Sequence, residues 1–354
     1  MNIVIIGAGV AGLSIGWRLL QAGCKVTILE RSQPAMGASW AAAGMLAVTA
    51  ELEDAAEPER QLAMRAHALW PAFAEELEEI SGRAIHLSAS GSLLLAADGA
   101  ALEAMRPRAG GELRIVDADE VHDLVPLLAP AVGGLWSPRE AHVDNRALGE
   151  ALAIAFLKAG GTLYPNEAAV RFEAARGGKI TGVQSPYRRY HADAVLIAAG
   201  AWTGLLDNIP IQPVKGEMIA LTPPDPARLP GPVVWGEGVY CVPRHGRLLV
   251  GATVQEAGFD TTPTDAAREH LWSRAARLMP AVADWTLADH WAGLRPKSPD
   301  GLPLLGPARD EGLFVAGGQY RNGILFTPAI AQEMAELILG RGQAVAAFDP
   351  RRFS

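Results

Sequence analysis

A chain of 354 residues, 49% hydrophobic and 20% charged, has the apolar content of a large buried core, which excludes disorder, and its length points to two interlocked domains. A formal charge of −8, with no basic block, excludes a phosphate-neutralising face, so no nucleic-acid partner is expected. Cys24 and Cys241 stand apart from any CxxC or Cys/His cluster, so neither a disulfide framework nor a metal site is expected, and a reducing, cytoplasmic location fits. No secretory h-region and no run of roughly 18 apolar residues occurs, so no membrane partner is expected.

In chain order, Asn2 to Ile6 predicts a strand, Gly7-Ala-Gly-Val-Ala-Gly12 a turn, Leu13 to Ala22 a helix stopped at Gly23, and Lys25 to Glu30 a second strand. Continuous β-branched runs of this kind mark strands buried on both faces of a parallel sheet. Residues 60–80 predict a helix with Leu62, Leu69, Phe73, Leu77 and Ile80 on one face and the acidic run Glu75 to Glu79 solvated on the other. Ser90 to Ala96 predicts a strand, and Pro126 to Pro138 an irregular connection.

From Asp144 the α/β pattern returns, with a helix over Arg146 to Ala159, a turn at Gly160-Gly161, a strand leading to Val170, and a buried strand from Ala194 into a glycine turn before Trp202. Residues 211–292 change texture to short alternating strands, among them Gly238 to Pro243 and Arg247 to Ala252, with one helix near 264–279. Leu313 to Gly318 resumes the buried-strand type, and Pro328 opens a last helix reaching Gly340. The first domain is therefore expected from 1–85, 140–210 and 293–354, with a second assembled from 86–139 and 211–292.

Gly7-x-Gly9-x-x-Gly12 follows a strand, opens a helix, and has Glu30 at the end of the next strand. Glycines there let backbone N–H groups approach a pyrophosphate at a helix N-terminus, and Glu30 suits the two hydroxyls of an adenosine ribose, which argues against a 2′-phosphate. The fingerprint alone does not choose between NAD and FAD. Met36 to Leu46, rich in small residues, suits either a flat ring system or a close helix–helix contact.

Taken together, Gly7-Ala-Gly-Val-Ala-Gly12, Ser39-Trp-Ala-Ala-Ala-Gly-Met-Leu46, Pro213-Val-Lys-Gly-Glu-Met218, Gly251-Ala-Thr253, Trp291-Ala-Gly-Leu-Arg-Pro296, Pro299-Asp-Gly-Leu-Pro-Leu-Leu-Gly306 and Tyr320-Arg-Asn-Gly-Ile-Leu325 resemble the D-amino-acid oxidase family of flavoproteins, in particular its glycine oxidase branch of the thiamine-biosynthetic type. The resemblance implies an α/β fold. A Rossmann-type (glutathione-reductase-like) FAD-binding domain would carry a discontinuous α+β substrate domain on a mainly antiparallel sheet. It also implies noncovalent FAD, consistent with the lack of any cysteine after Cys241.

Residue by residue, the resemblance places Gly7, Gly9, Val10, Ala11 and Gly12 at the pyrophosphate and Glu30 and Arg31 at the adenosine. Val170, on its strand, would meet the adenine through its main chain. Ser39 and the Ala43-Gly44-Met45 backbone would pass the flavin ring, Gly200 and Trp202 would lie near the cofactor, and Gln319, Tyr320, Arg321, Asn322, Gly323, Ile324 and Leu325 would line the ring. Trp40 stands where the family usually has a small hydroxyl residue. Arg295 becomes the clamp for a substrate carboxylate, Tyr240 a second hydrogen-bond donor to it, and Arg321 a contact to substrate, flavin edge or both. A planar guanidinium fork suits a carboxylate in a dry pocket, although on residue type alone either arginine could equally pair with an internal carboxylate, and Tyr240 could be a core aromatic.

The activity implied is oxidative deamination of a small amine or amino acid (glycine, sarcosine, a small D-amino acid), with hydride passing from Cα to flavin N5. O2 is the expected acceptor, yielding imine or 2-oxo acid, ammonia or amine, and H2O2, with a place in thiamine thiazole biosynthesis; the alternative is an FAD-dependent amino-acid dehydrogenase passing electrons to a quinone or other non-O2 acceptor. Gly238 and Val254 fall at pocket positions that vary, and a homo-oligomer is expected.

Overall fold

The computed structural model describes residues 1–48, 55–225, 229 and 231–353. Strand β1 (Asn2–Ile6), helix α1 (Val10–Gln21) and strand β2 (Lys25–Leu29) form the opening βαβ unit, with β1 and β2 parallel. β1 lies inside a six-stranded sheet, paired on its other side with the parallel strand Ala194–Ile197, beyond which come Leu313–Gly317 and the antiparallel edge Leu304–Pro307. Ile3, Ile5, Ile28 and Leu196 are buried on one face and Val4, Ile6, Val195 and Ile197 on the other. Each side chain so buried contributes about 1.5–3 kcal/mol, which is why these strands read as unbroken apolar runs.

Helix α1 packs against Asn145–Lys158 and Thr327–Ile338, covering one face of this sheet. The long helix Glu57–Ser81 joins that layer, with Trp70 and Phe73 in T-shaped contact and Phe73 edge-on to Trp17. Its acidic run is not uniformly solvated. Glu75 and Glu79 are exposed, whereas Glu76 pairs with Arg18 at 2.7 Å and Glu78 accepts the Ile85 N–H at 2.7 Å.

The second layer is an eight-stranded sheet in the order Thr286–Lys297, Gln212–Thr222, Arg247–Gly251, Val239–Arg244, Val233–Gly236, Ser92–Leu95, Gly133–Ser137, Arg114–Asp117. All its pairings are antiparallel except that of Val233–Gly236 with Ser92–Leu95. Helix Asp265–Leu278 covers one face.

Three expectations are corrected. The segment expected to be irregular, 126–138, contains the strand Gly133–Ser137, because its glycines sit where neighbouring carbonyls leave no room for a Cβ. Val170 is exposed and precedes the strand Arg171–Ala174 instead of lying on one; the strand after Gly161 is only Thr162–Tyr164. Strand Thr286–Lys297 also stays paired with Gln212–Thr222 as far as Lys297, past the expected return to the first domain at 293. Among the described residues no helix is long and apolar enough to cross a membrane.

Candidate active site

A cavity of about 940 Å³ runs between the two sheets, at the large end of the range for ligand pockets. At one end it is lined by Gly7, Gly9, Val10, Ala11, Glu30, Arg31 and Val170. Helix α1 has Gly9 at its N-cap with no side-chain cap, so its positive end faces the cavity with orphan N–H groups. One of them, Val10 N–H, donates to Ser39 Oγ at 3.1 Å, tying the helix start to the next stretch of lining. Glu30 is held in place by the Ala8 N–H (2.8 Å) and by the Ser32 N–H and hydroxyl (2.8 and 3.0 Å). The Arg31 guanidinium lies 3.4 Å from the centre of the Trp202 ring.

Mid-cavity lining comes from Ser39, Ala43, Gly44, Met45, Gly200 and Trp202. Trp40 is turned away, edge-on to Trp291 and beneath the Arg146 guanidinium at 3.7 Å, so a large residue is accommodated there without entering the cavity. Sequence reasoning missed what holds this segment. Arg244 donates through Nη2 to the carbonyls of Ala43 (2.6 Å) and Val143 (2.8 Å) and through Nη1 to Asn145 Oδ1 (2.8 Å). Asn145 in turn donates to the carbonyls of Ser39 and Trp40. Burial pushes the Arg244 guanidinium down to about 10. Its only sequence signal is a cation at the end of an otherwise apolar strand.

The far end carries the candidate substrate ligands, two of which, Arg295 and Tyr240, lie over glycines. A Cβ on Gly216 would sit 2.2 Å from Arg295 Nη1, and one on Gly251 would sit 2.5 Å from the Tyr240 hydroxyl. Tyr240 and Gly251 are direct cross-strand partners. Arg295 Nη1 donates to the Thr253 carbonyl at 3.1 Å, and among the described residues no carboxylate comes within ion-pair distance of Arg295 or Arg321. The Tyr240 hydroxyl donates to Met218 Sδ at 3.7 Å, and its ring lies 5.1 Å from Trp235. Arg321 is exposed at the cavity rim, 5.1 Å from the Tyr320 ring. Gln319, Tyr320, Asn322, Gly323 and Ile324 complete the lining, as do Gly238 and Val254.

Two expected cofactor residues do not line the cavity. Gly12 serves the helix–strand contact, since a Cβ there would lie 2.0 Å from the Gly7 carbonyl oxygen. Leu325 is buried in the core, its carbonyl accepting from Trp70 Nε1 at 2.9 Å.

The donor set suits a dinucleotide with a flat ring: an uncapped helix start, an anchored carboxylate, and small residues along the middle. Among the described residues, the backbone N–H groups of Gly323 and Ile324, in the turn before helix Thr327–Ile338, also have no acceptor within the chain. The family model described as DAO, FAD dependent oxidoreductase, matches residues 2–337. The chain belongs to this family. FAD is accordingly its cofactor.

Relatives include a glycine oxidase of Pseudomonas aeruginosa, 34% identical and aligned over 96% of this chain and 95% of its own length. The bifunctional protein ThiO/ThiG of Synechocystis sp. is 35% identical over 99% of this chain, which spans about half (54%) of that relative's length. The crystal structure of glycine oxidase from Geobacillus kaustophilus superposes with a TM-score of 0.92 at 33% identity, covering 98% of this chain and 97% of its own.

Proposed function

We propose that the chain catalyses oxidative deamination of a small amine or amino acid such as glycine, sarcosine or a small D-amino acid, with O2 as acceptor and H2O2 as product. The observation that carries this reading is the Arg295 guanidinium, set in the cavity over Gly216 with no carboxylate partner among the described residues. A partly desolvated guanidinium in that position takes a carboxylate bidentately. FAD, when bound, supplies the hydride acceptor and returns the electrons to the oxidant.

The protein's own part is binding and orientation. Arg295 and Tyr240 would hold the carboxylate, Arg321 would close the rim, and Gly238 and Val254 would set the room for the amine substituent. Among the described residues the lining carries two carboxylates, Glu30 at the nucleotide end and Glu237, which pairs with Arg274 at 3.5 Å. Positioning is then the main source of rate. The likeness to glycine oxidases and to ThiO/ThiG supports the substrate class and a role in thiamine biosynthesis; a cytoplasmic homo-oligomer completes the reading.

The test is a panel of glycine, sarcosine, D-alanine and D-proline with peroxide detection, run on wild type and Arg295→Ala. Peroxide with at least one of the four, and a KM at least about a hundredfold higher in the variant, is the expected result, a lost charge-assisted pair being worth about 3 kcal/mol. An unchanged KM in Arg295→Ala rejects the clamp, and turnover that requires a dye in place of O2 rejects the acceptor.

A further inference from the structure

Strand Gln212–Thr222 turns Gly216 and Met218 toward the cavity and therefore Lys215 and Glu217 to its other face. Both charges are essentially out of water, Lys215 being 1% and Glu217 0% exposed. Lys215 Nζ lies 3.4 Å from Glu217 Oε1 and 3.5 Å from the more exposed Asp260, and it donates to the Thr262 carbonyl at 2.5 Å. Glu217 accepts the Thr264 N–H at 2.7 Å and the Thr264 hydroxyl at 3.0 Å, and its Oε2 is 3.0 Å from His290 Nε2. A buried ion pair of this kind adds little stability over apolar residues, so its presence calls for another account.

That account lies in what the two side chains hold. Among the described residues, every partner outside the two flanking strands belongs to residues 253–264, in the stretch between strand Arg247–Gly251 and helix Asp265–Leu278. The backbone ties are the same: Thr253 Oγ1 accepts the Glu217 N–H, the Thr253 N–H donates to the Glu217 carbonyl, and Lys215 and Gln255 exchange N–H···O bonds in both directions. The same stretch supplies the Thr253 carbonyl that takes Arg295 Nη1, Val254 in the cavity lining, and Phe259 against the Trp202 ring at 5.5 Å.

We propose that the buried Lys215–Glu217 pair, completed by His290, is a positioning device for the Arg295 clamp. By pinning residues 253–264 it fixes the Thr253 carbonyl that aims the guanidinium, and it does so from the face of the strand opposite the one on which the guanidinium lies. The proposal rests on the reading of Arg295 as the carboxylate ligand. Neither Lys215 nor Glu217 lines the cavity, so their effect on substrate passes through the stretch they pin, and for a bound carboxylate through Arg295.

The test replaces both charges together, in the FAD-loaded double variant K215M/E217Q, so that neither buried charge is left without its partner, while Asp260 is exposed to solvent. Glycolate, a carboxylate lacking the amine, serves as the binding probe, titrated by its perturbation of the flavin absorbance. The expected result is about a tenfold loss of glycolate affinity and a matching rise in KM, with kcat at saturation within about twofold of wild type. In the Arg295→Ala background the same two substitutions are expected to change glycolate affinity little, because the interaction they tune is gone. T264V keeps both charges, removes one tie to the pinned stretch, and is expected to move affinity the same way by a smaller factor.

Unchanged glycolate affinity in the double variant, or equal losses with and without Arg295, overturns the inference. Glycolate affinity that Arg295→Ala alone leaves at the wild-type level removes the clamp reading itself, and this inference with it.

Discussion

His142 shows how one side chain in this fold ties stability to pH. It lies buried on a two-residue strand paired with Met45–Leu46, and its Nδ1 has no hydrogen-bond partner among the described residues. Burial is the first cause, and the neighbouring Arg244 and His245 the next, that push its imidazole down from 6.5 to about 4 against the opposing pull of Asp144. The native protein therefore keeps this ring neutral where the unfolded chain binds a proton, so stability is lost as pH falls from about 6.5 toward about 4. The loss has an upper bound of about 3 kcal/mol. His142→Gln should flatten the fall in thermal midpoint over that interval relative to wild type. Parallel curves for the two proteins would show that other groups set the acid limit.

At the scale of elements, the candidate ligands are placed by glycines on adjoining strands. Gly216→Ala puts a methyl group into the space of the Arg295 guanidinium, and Gly251→Ala does the same to the Tyr240 ring. Both strands are paired on both sides, so the backbone has little freedom to shift and the side chains must move. Gly216→Ala should raise KM by at least about tenfold while the protein stays folded with its FAD, since misplacement of a binding group by about 1 Å is enough for such losses. A wild-type KM would mean that the guanidinium has a second, equally competent position. Gly251→Ala tests Tyr240 in the same way.

These glycines also mark the limit of what the sequence made legible. The buried parallel strands, the turn at Gly7 to Gly12 and the anchored Glu30 were readable because each depends on local pattern. Gly216 and Gly251 stood inside recognised motifs, but their reason is contact with a side chain on another strand, which no local pattern contains. Val170 was misread as part of a strand because an apolar residue beside Arg171–Ala174 looks like its continuation. The Arg244 brace and the Lys215–Glu217 pair were not singled out because their partners are distant in the chain or turned to a hidden face.

At the scale of the whole molecule, the cavity is bounded by two sheets, and its shape depends on how they are held relative to each other. Arg244 is placed to do this, standing at the end of a strand in the eight-stranded sheet while its guanidinium bonds Ala43, Val143 and Asn145 on the nucleotide side. Arg244→Met leaves three acceptors without their donor, at about 1–3 kcal/mol for each that stays buried and unsatisfied. Arg244→Lys restores charge but not the planar fork that reaches all three. Because segment 39–45 lines the middle of the cavity, the loss should appear as weaker FAD binding as well as a lower midpoint. FAD bound only to the native state raises stability by about 2.7 kcal/mol at a concentration one hundred times Kd, so a variant with weakened binding needs more FAD to reach the same midpoint. Titrating apo-protein with FAD during thermal unfolding separates the two effects. A midpoint curve displaced along the FAD axis shows a brace for the cofactor floor, whereas a drop that is constant at every FAD concentration shows a role in core stability alone.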